Sequence, residues 1–110
     1  MVKLEGYSNY YVSENGIIFS LKIGKALQPY SAGKGNKREG YLKIKLFRDD
    51  GKRIIWYVSR FIYLAHIGEI PEGFEIDHID GNRSNNSITN LRILTRKQNV
   101  KRKKKYKGVS

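Results

Sequence analysis

Asp77 and His78 stand side by side at the end of a short β-prone run, Phe74-Glu75-Ile76-Asp77-His78, and turn formers follow at once in Asp80-Gly81-Asn82. A carboxylate offers hard oxygen donors suited to a Mg²⁺-like ion, and an imidazole is the side chain that exchanges a proton near neutral pH. The dipeptide therefore joins a metal ligand to a general base. Neighbours on a regular strand point to opposite faces, so the two can meet at one site only where the strand twists or ends. The turn after His78 supplies such an end. Asp-His pairs also serve as plain structural hydrogen-bonding units, and two asparagines weigh against that alternative here. Asn90 stands at the entrance to a second strand, and Asn99 lies four residues past Thr95, one turn into a C-terminal helix. From there its carboxamide can face the strand pair. A carboxamide oxygen is a legitimate Mg²⁺ ligand, and a site with few protein ligands leaves room for waters and a phosphate oxygen. Asn82, Asn85 and Asn86 read as turn and capping residues. An EF-hand reading fails, because counting from Asp77 or Asp80 finds neither glycine at the sixth position nor glutamate at the twelfth.

The elements that must carry these residues are legible from periodicity. Tyr10 to Ser13 and Ile17 to Leu21 are β-prone runs around Glu14-Asn15-Gly16, and Asn-Gly between such runs signals a hairpin. Ala26 to Gln28 reads as a short strand, and Ser31 to Gly40 as a basic loop. Tyr41 to Phe47 alternates, with Leu42, Ile44 and Leu46 on one face and Lys43 and Lys45 on the other. After Asp49-Asp50-Gly51-Lys52, Arg53 to Val58 supplies the hairpin partner. From Ser59, a good N-cap, Phe61, Ile62, Leu64 and Ala65 fall at helical spacing until Gly68. Beyond Phe74 to His78 the order is loop (79 to 87), strand (92 to 95), then a helix capped by Thr95 and running towards Lys105, with Val100 its clear inward apolar residue.

Bulk properties narrow the class. At 110 residues the chain fits one compact domain, which on folding buries about 60 to 70 percent of its surface and has little room for a deep small-molecule cavity. It has no cysteine, which excludes disulfides and thiolate zinc sites. The longest apolar-rich run, Ile54 to Ile67, is broken by Ser59, Arg60 and His66; with no signal peptide or membrane span, the expectation is a cytoplasmic protein without a membrane partner. The net charge of +12 is unevenly spread. Residues 1 to 80 hold all ten acidic residues and twelve Lys/Arg, whereas residues 81 to 110 hold ten Lys/Arg and no acid. Such clustering is the electrostatic footprint of a nucleic-acid partner. Arg83, Arg92, Arg96, Lys97, Lys101, Arg102 and Lys103 are the candidates for phosphate contacts, with Lys43, Lys45 and the 34 to 38 loop as a second strip. Each could equally be a solvated surface charge.

Asp77-His78, Asp80-Gly81-Asn82, Asn85-Asn86, Asn90-Leu91-Arg92, Thr95 and Asn99 together resemble the HNH endonuclease signature, in the form found in phage and intron homing endonucleases. Glu5-Gly6-Tyr7 with Tyr10 to Ser20 resembles the small N-terminal module that often precedes this nuclease. Lys105 to Ser110 resembles the first residues of an AP2-type DNA-binding domain. The resemblance implies an α+β protein in which antiparallel β hairpins and a short helix precede a ββα-metal motif. It divides the chain into an N-terminal module (1–58), the nuclease motif (59–104) and a basic tail (105–110) that could begin a further DNA-binding domain.

By the same resemblance Asp77 is a metal ligand, His78 the general base, Asn90 the residue that holds the loop and orients the histidine, and Asn99 the second protein ligand. Many relatives carry His-Arg where this chain has Ser59-Arg60, so whatever that histidine does is not carried over; Arg60 is counted among the DNA-binding residues. The implied function is metal-dependent hydrolysis of a DNA phosphodiester by a phage or mobile-element enzyme. One divalent ion is required, Mg²⁺ first, with Mn²⁺ or another ion as substitutes. The expected partner is double-stranded DNA and the expected state a monomer. The competing class is a non-catalytic DNA- or RNA-binding module that keeps the ββα scaffold as structure. The clustered charge predicts that DNA affinity, followed by filter binding or anisotropy, falls steeply as salt is raised, and a nearly flat dependence would remove the backbone-contact reading.

Overall fold

The computed structural model describes residues 1–31 and 40–99. The Asn15-Gly16 signal delivers its hairpin: β1 (Tyr10–Val12) pairs antiparallel with β2 (Ile18–Ser20), Tyr11 opposite Phe19. Within the turn, Gly16 adopts φ +88°, and the Ser13 hydroxyl accepts the Ile17 amide at 3.0 Å. β3 (Lys25–Ala26), on the other edge of β2, starts one residue before the expected strand and completes the first sheet. Past Pro29, β4 (Tyr30–Ser31) opens a second sheet with β5 (Leu42–Phe47) and β6 (Arg53–Tyr57). Most of the expected basic loop lies outside the described residues. β5 behaves as its alternation demands, with Ile44 and Leu46 buried and Lys45 and Phe47 exposed.

The chain leaves β6 straight into the helix α1 (Val58–His66). Ser59 is not the N-cap. Tyr57, extended at φ −70° and ψ 131°, ends the strand and occupies the cap position, so Ser59 falls inside the first turn and is buried, with no side-chain cap bond at the helix start. A strand that passes directly into a helix provides the extended cap conformation from its own last residue. Gly68, at φ +145°, follows the helix end and donates its amide to the Tyr63 carbonyl.

The remaining elements are β7 (Phe74–His78), a 3₁₀ turn (Ile88–Asn90) and β8 (Leu91–Thr95), with β7 and β8 forming a two-stranded antiparallel sheet. A helix follows, described over 96–99. Thr95 caps it as expected, and reciprocally: its hydroxyl accepts the Gln98 amide at 3.2 Å, while the Gln98 side-chain oxygen accepts the Thr95 amide at 2.9 Å. This is a capping box. Val100, Lys101, Arg102, Lys103 and the 105–110 tail lie outside the described residues.

One buried cluster connects these elements. Val12 and Ile18 of the first sheet, Ile44 and Leu46 of the second, Val58, Phe61 and Ile62 of α1, and Leu91 of β8 all belong to it. Polar ties reinforce it: the Tyr10 hydroxyl accepts the Phe47 amide at 2.9 Å across the two sheets, Trp56 donates its indole N–H to the Tyr7 hydroxyl at 2.9 Å, and His66 of the helix donates Nε2–H to the Val12 carbonyl at 3.0 Å. Tyr7 and Trp56 both pack edge-on against Phe61, with centroids 5.2 and 5.7 Å away. No helix among the described residues is long and apolar enough to cross a membrane. Because the Phe61 ring is fully buried at this three-ring junction, Phe61→Ala should lower the unfolding free energy in urea melts by about 3–5 kcal/mol.

Candidate active site

The β7–β8 register sets Asp77 opposite Arg92 and His78 opposite Leu91, at the end of the strand pair from which a long loop departs. Asp77 and His78 are both 5% exposed. Burying a carboxylate and an imidazole is costly unless each is partnered, and both are. Asp77 Oδ2 accepts the Nε–H of Arg92 at 2.8 Å. Arg92, expected on a phosphate, is thus held on the acid by strand register, with its side chain still half exposed.

The imidazole has a different anchor. His78 Nε2 lies 2.9 Å from Oδ1 of Asn86, and its ring is tilted against Tyr41 with centroids 5.9 Å apart. With the carboxamide oxygen accepting, Nε2 is the protonated nitrogen and the lone pair is on Nδ1. Asn86, read from the sequence as a turn residue, is therefore the side chain on the histidine. Asn90, expected both to hold the loop and to orient the histidine, holds the loop, while the carboxamide bonded to the imidazole is that of Asn86. Its Oδ1 accepts the Asp80 amide at 3.0 Å, and its Nδ2 donates to Asp80 Oδ1 and to the Asn85 carbonyl, both at 2.9 Å. Its backbone carbonyl accepts the Ile79 amide at 2.8 Å.

Asp80 is the second node of that loop. Besides Asn90 it accepts the Asn82 amide at 2.8 Å and the Asn85 carboxamide at 2.9 Å. These bonds, that from Asn85 foremost and then those from Asn82 and Asn90, hold its carboxyl below the usual aspartate range. Asp80 was legible only as a turn former. Its role as an anchor depends on residues that the loop brings back to it.

Asn99, in the first turn of the last helix, is buried, 8% exposed. Among the described residues no three His, Cys, Asp or Glu side chains converge as a metal-binding group. Asp77 is a buried carboxylate, and Asn86, Asn90 and Asn99 are buried carboxamides; hard oxygen donors of this kind suit an ion held by few protein ligands. Around the site, Arg83 stacks its guanidinium 4.4 Å over the Tyr41 ring, and Lys43 lies 5.4 Å over Tyr57. Arg60, Arg96, Lys97 and Lys45 are exposed.

With this geometry in place, the comparison with known proteins is specific: residues 56–101, which span β7, the loop, β8 and the described start of the last helix, match the HNH endonuclease family. Residues 56–101 are thus an HNH endonuclease segment. Enzymes of this family generally use a divalent metal ion. The chain is 38% identical over 98 residues to the DNA endonuclease I-HmuI of Bacillus phage SP01, covering 88% of this chain and 53% of that protein. It is 32% identical over 91 residues to YosQ of the SPbeta prophage of Bacillus subtilis (strain 168), named as an HNH homing endonuclease, covering 83% of this chain and 50% of YosQ. The solved structure of I-HmuI, described as an HNH homing endonuclease that binds and cleaves DNA, matches 96% of this chain and 59% of its own with a TM-score of 0.78 and 36% identity. The α+β fold with a ββα motif is therefore the one expected. The HNH chain spans about half the length of these relatives.

Because the Asp80 carboxyl is depressed in the folded state, its contribution to stability is complete above the ordinary aspartate pKa, about 3.9, and is lost as pH falls through the lower folded value. Asp80→Asn should accordingly melt below the parent at neutral pH, with the gap closing only in strong acid. Thermal melts across pH check this, and a gap that widens with acid would contradict it.

Proposed function

We propose that this chain is a metal-dependent endonuclease that hydrolyses DNA phosphodiesters, of the phage or mobile-element homing type. The observation that carries the reading is the buried Asp77-His78 pair at the end of β7, paired to a strand that runs straight into a capped helix bearing the buried Asn99. A binding scaffold gains nothing from burying an acid beside an imidazole, and it would bear the desolvation cost of both.

In this reading His78 is the general base. Asn86 holds Nε2 and fixes the tautomer, so that Nδ1 takes the proton from the attacking water. Asn90 and Asp80 close the loop that carries Asn86. Asp77 and Asn99 would hold a divalent ion, Mg²⁺ by the hardness of their oxygens and Mn²⁺ as a substitute. Such an ion supplies charge neutralisation at the phosphate and at the leaving 3′ oxygen. Arg92 keeps the Asp77 carboxylate oriented. The exposed Arg60, Arg96 and Lys97, the Arg83 guanidinium on Tyr41, and Lys43 with Lys45 on β5 offer phosphate contacts along double-stranded DNA. A single site in a monomer nicks one strand per encounter. The setting is the cytoplasm of a bacterial or phage-infected cell.

Supercoiled plasmid with Mg²⁺ or Mn²⁺, and chelator as control, tests the proposal. His78→Ala should slow nicking by about two to four decades, the range for a positioned general base. Cleavage by that variant at the parental rate would refute the assignment of the base. DNA binding by the parent without metal-dependent cleavage would instead identify a non-catalytic module.

A further inference from the structure

The loop that carries Asn86 does not hold its position through its own bonds alone. The turn of the first hairpin, far away in sequence, packs directly against it. The Glu14 carbonyl accepts the Ile88 amide at 2.9 Å. Gly16 fits so closely that an added Cβ would stand 2.8 Å from the Asn86 carbonyl oxygen, 2.9 Å from its carbonyl carbon and 3.0 Å from its Cβ. Atoms this close must separate, and the first to move would be the backbone of the residue whose side chain holds the histidine. The Asn86 carboxamide, 5% exposed, spans 2.9 Å to His78 Nε2 and has little slack to absorb such a shift.

We propose that Gly16, with the Glu14 carbonyl, is a positioning residue for the nuclease site: the N-terminal turn holds residues 86 and 88 so that Asn86 fixes the tautomer and direction of the His78 imidazole. The N-terminal module is then part of the catalytic apparatus, acting through Asn86 on the base. The inference rests on the nuclease reading for its kinetic consequence but not for its structural one, because the state of the imidazole can be read without any cleavage.

Gly16 also has a positive φ, so any side chain there is strained regardless of contact. Gly51, in the turn between β5 and β6, provides the control: its φ of +89° matches the +88° of Gly16, and an added Cβ would meet nothing within 4 Å. The comparison of Gly16→Ala with Gly51→Ala therefore removes the backbone strain common to both and leaves the contact with Asn86.

The full chain is assayed for nicking as kcat and KM, and two-bond ¹⁵N–¹H spectra of the histidine rings report the His78 tautomer. The parent and Gly51→Ala should show the Nε2–H form. Gly16→Ala should show a mixed or altered tautomer and lose kcat by about 10- to 100-fold, the scale set by sub-ångström misplacement of a reacting group, with KM changed less than twofold. Asn86→Ala should match it, and the double variant should be no slower than the slower single. Should Gly16→Ala fail to fold, Ile88→Pro removes the amide that Glu14 accepts, and Ile88→Ala, which keeps that amide, controls for the lost side chain that packs against the core. Residue 88 opens the 3₁₀ turn, and Ser87 before it is already extended at φ −61° and ψ 138°, so proline is accommodated there. The same loss of kcat and change of tautomer are expected from Ile88→Pro. An unchanged His78 tautomer in whichever of Gly16→Ala and Ile88→Pro folds would overturn the proposal, whatever the cleavage rate. A changed tautomer in the variant, with a parent that never cleaves DNA, would uphold the clamp and sink the nuclease reading alone.

Discussion

The candidate site depends on the closure of one loop by one buried carboxamide. Asn90 binds the Asp80 amide and carboxylate and the Asn85 carbonyl with its side chain, and the Ile79 amide with its backbone. A loop between antiparallel strands would otherwise have to satisfy its polar backbone groups in solvent, where many paths cost about the same. Asn90 selects one path. That path turns Asp80 into an acceptor for three donors and brings Asn86 back over the end of β7, where the imidazole stands.

Strand pairing performs the complementary task on the other side of the site. The β7–β8 register makes Arg92 the direct neighbour of Asp77, so the acid is neutralised by a residue whose own side chain stays half in solvent. The same strand then ends in Thr95, whose reciprocal bonds with Gln98 start the helix that carries the buried Asn99. Three short local structures, a strand end, a closed loop and a capped helix turn, bury an acid, an imidazole and carboxamides.

The N-terminal hairpin is built into the same arrangement. Its strands contribute Val12 and Ile18 to the common core, its tyrosines tie it to β5 and β6, and its turn touches the loop at residues 86 and 88. Tyr41 connects the second sheet to the site from another direction, lying against His78 on one side of the network and beneath Arg83 on the other.

Much of this was determined by sequence because the governing physics is local. Alternation sets the faces of β5, a threonine three residues before a glutamine sets the start of the last helix, and turn formers after Asp77-His78 end β7 where a site can form. Local chemistry could not separate asparagines with identical side chains in one loop, and Asn86 rather than Asn90 lies on the imidazole because the loop path returns it there. Nor could it foresee that Tyr57 would take the cap position from Ser59, since that follows from β6 running unbroken into α1. The sequence by itself determined which residue types meet and in what order of elements. Only the tertiary structure decided which carboxamide touches the base, which arginine touches the acid and which distant glycine packs on the loop, because those contacts join segments whose separation along the chain no local rule can span.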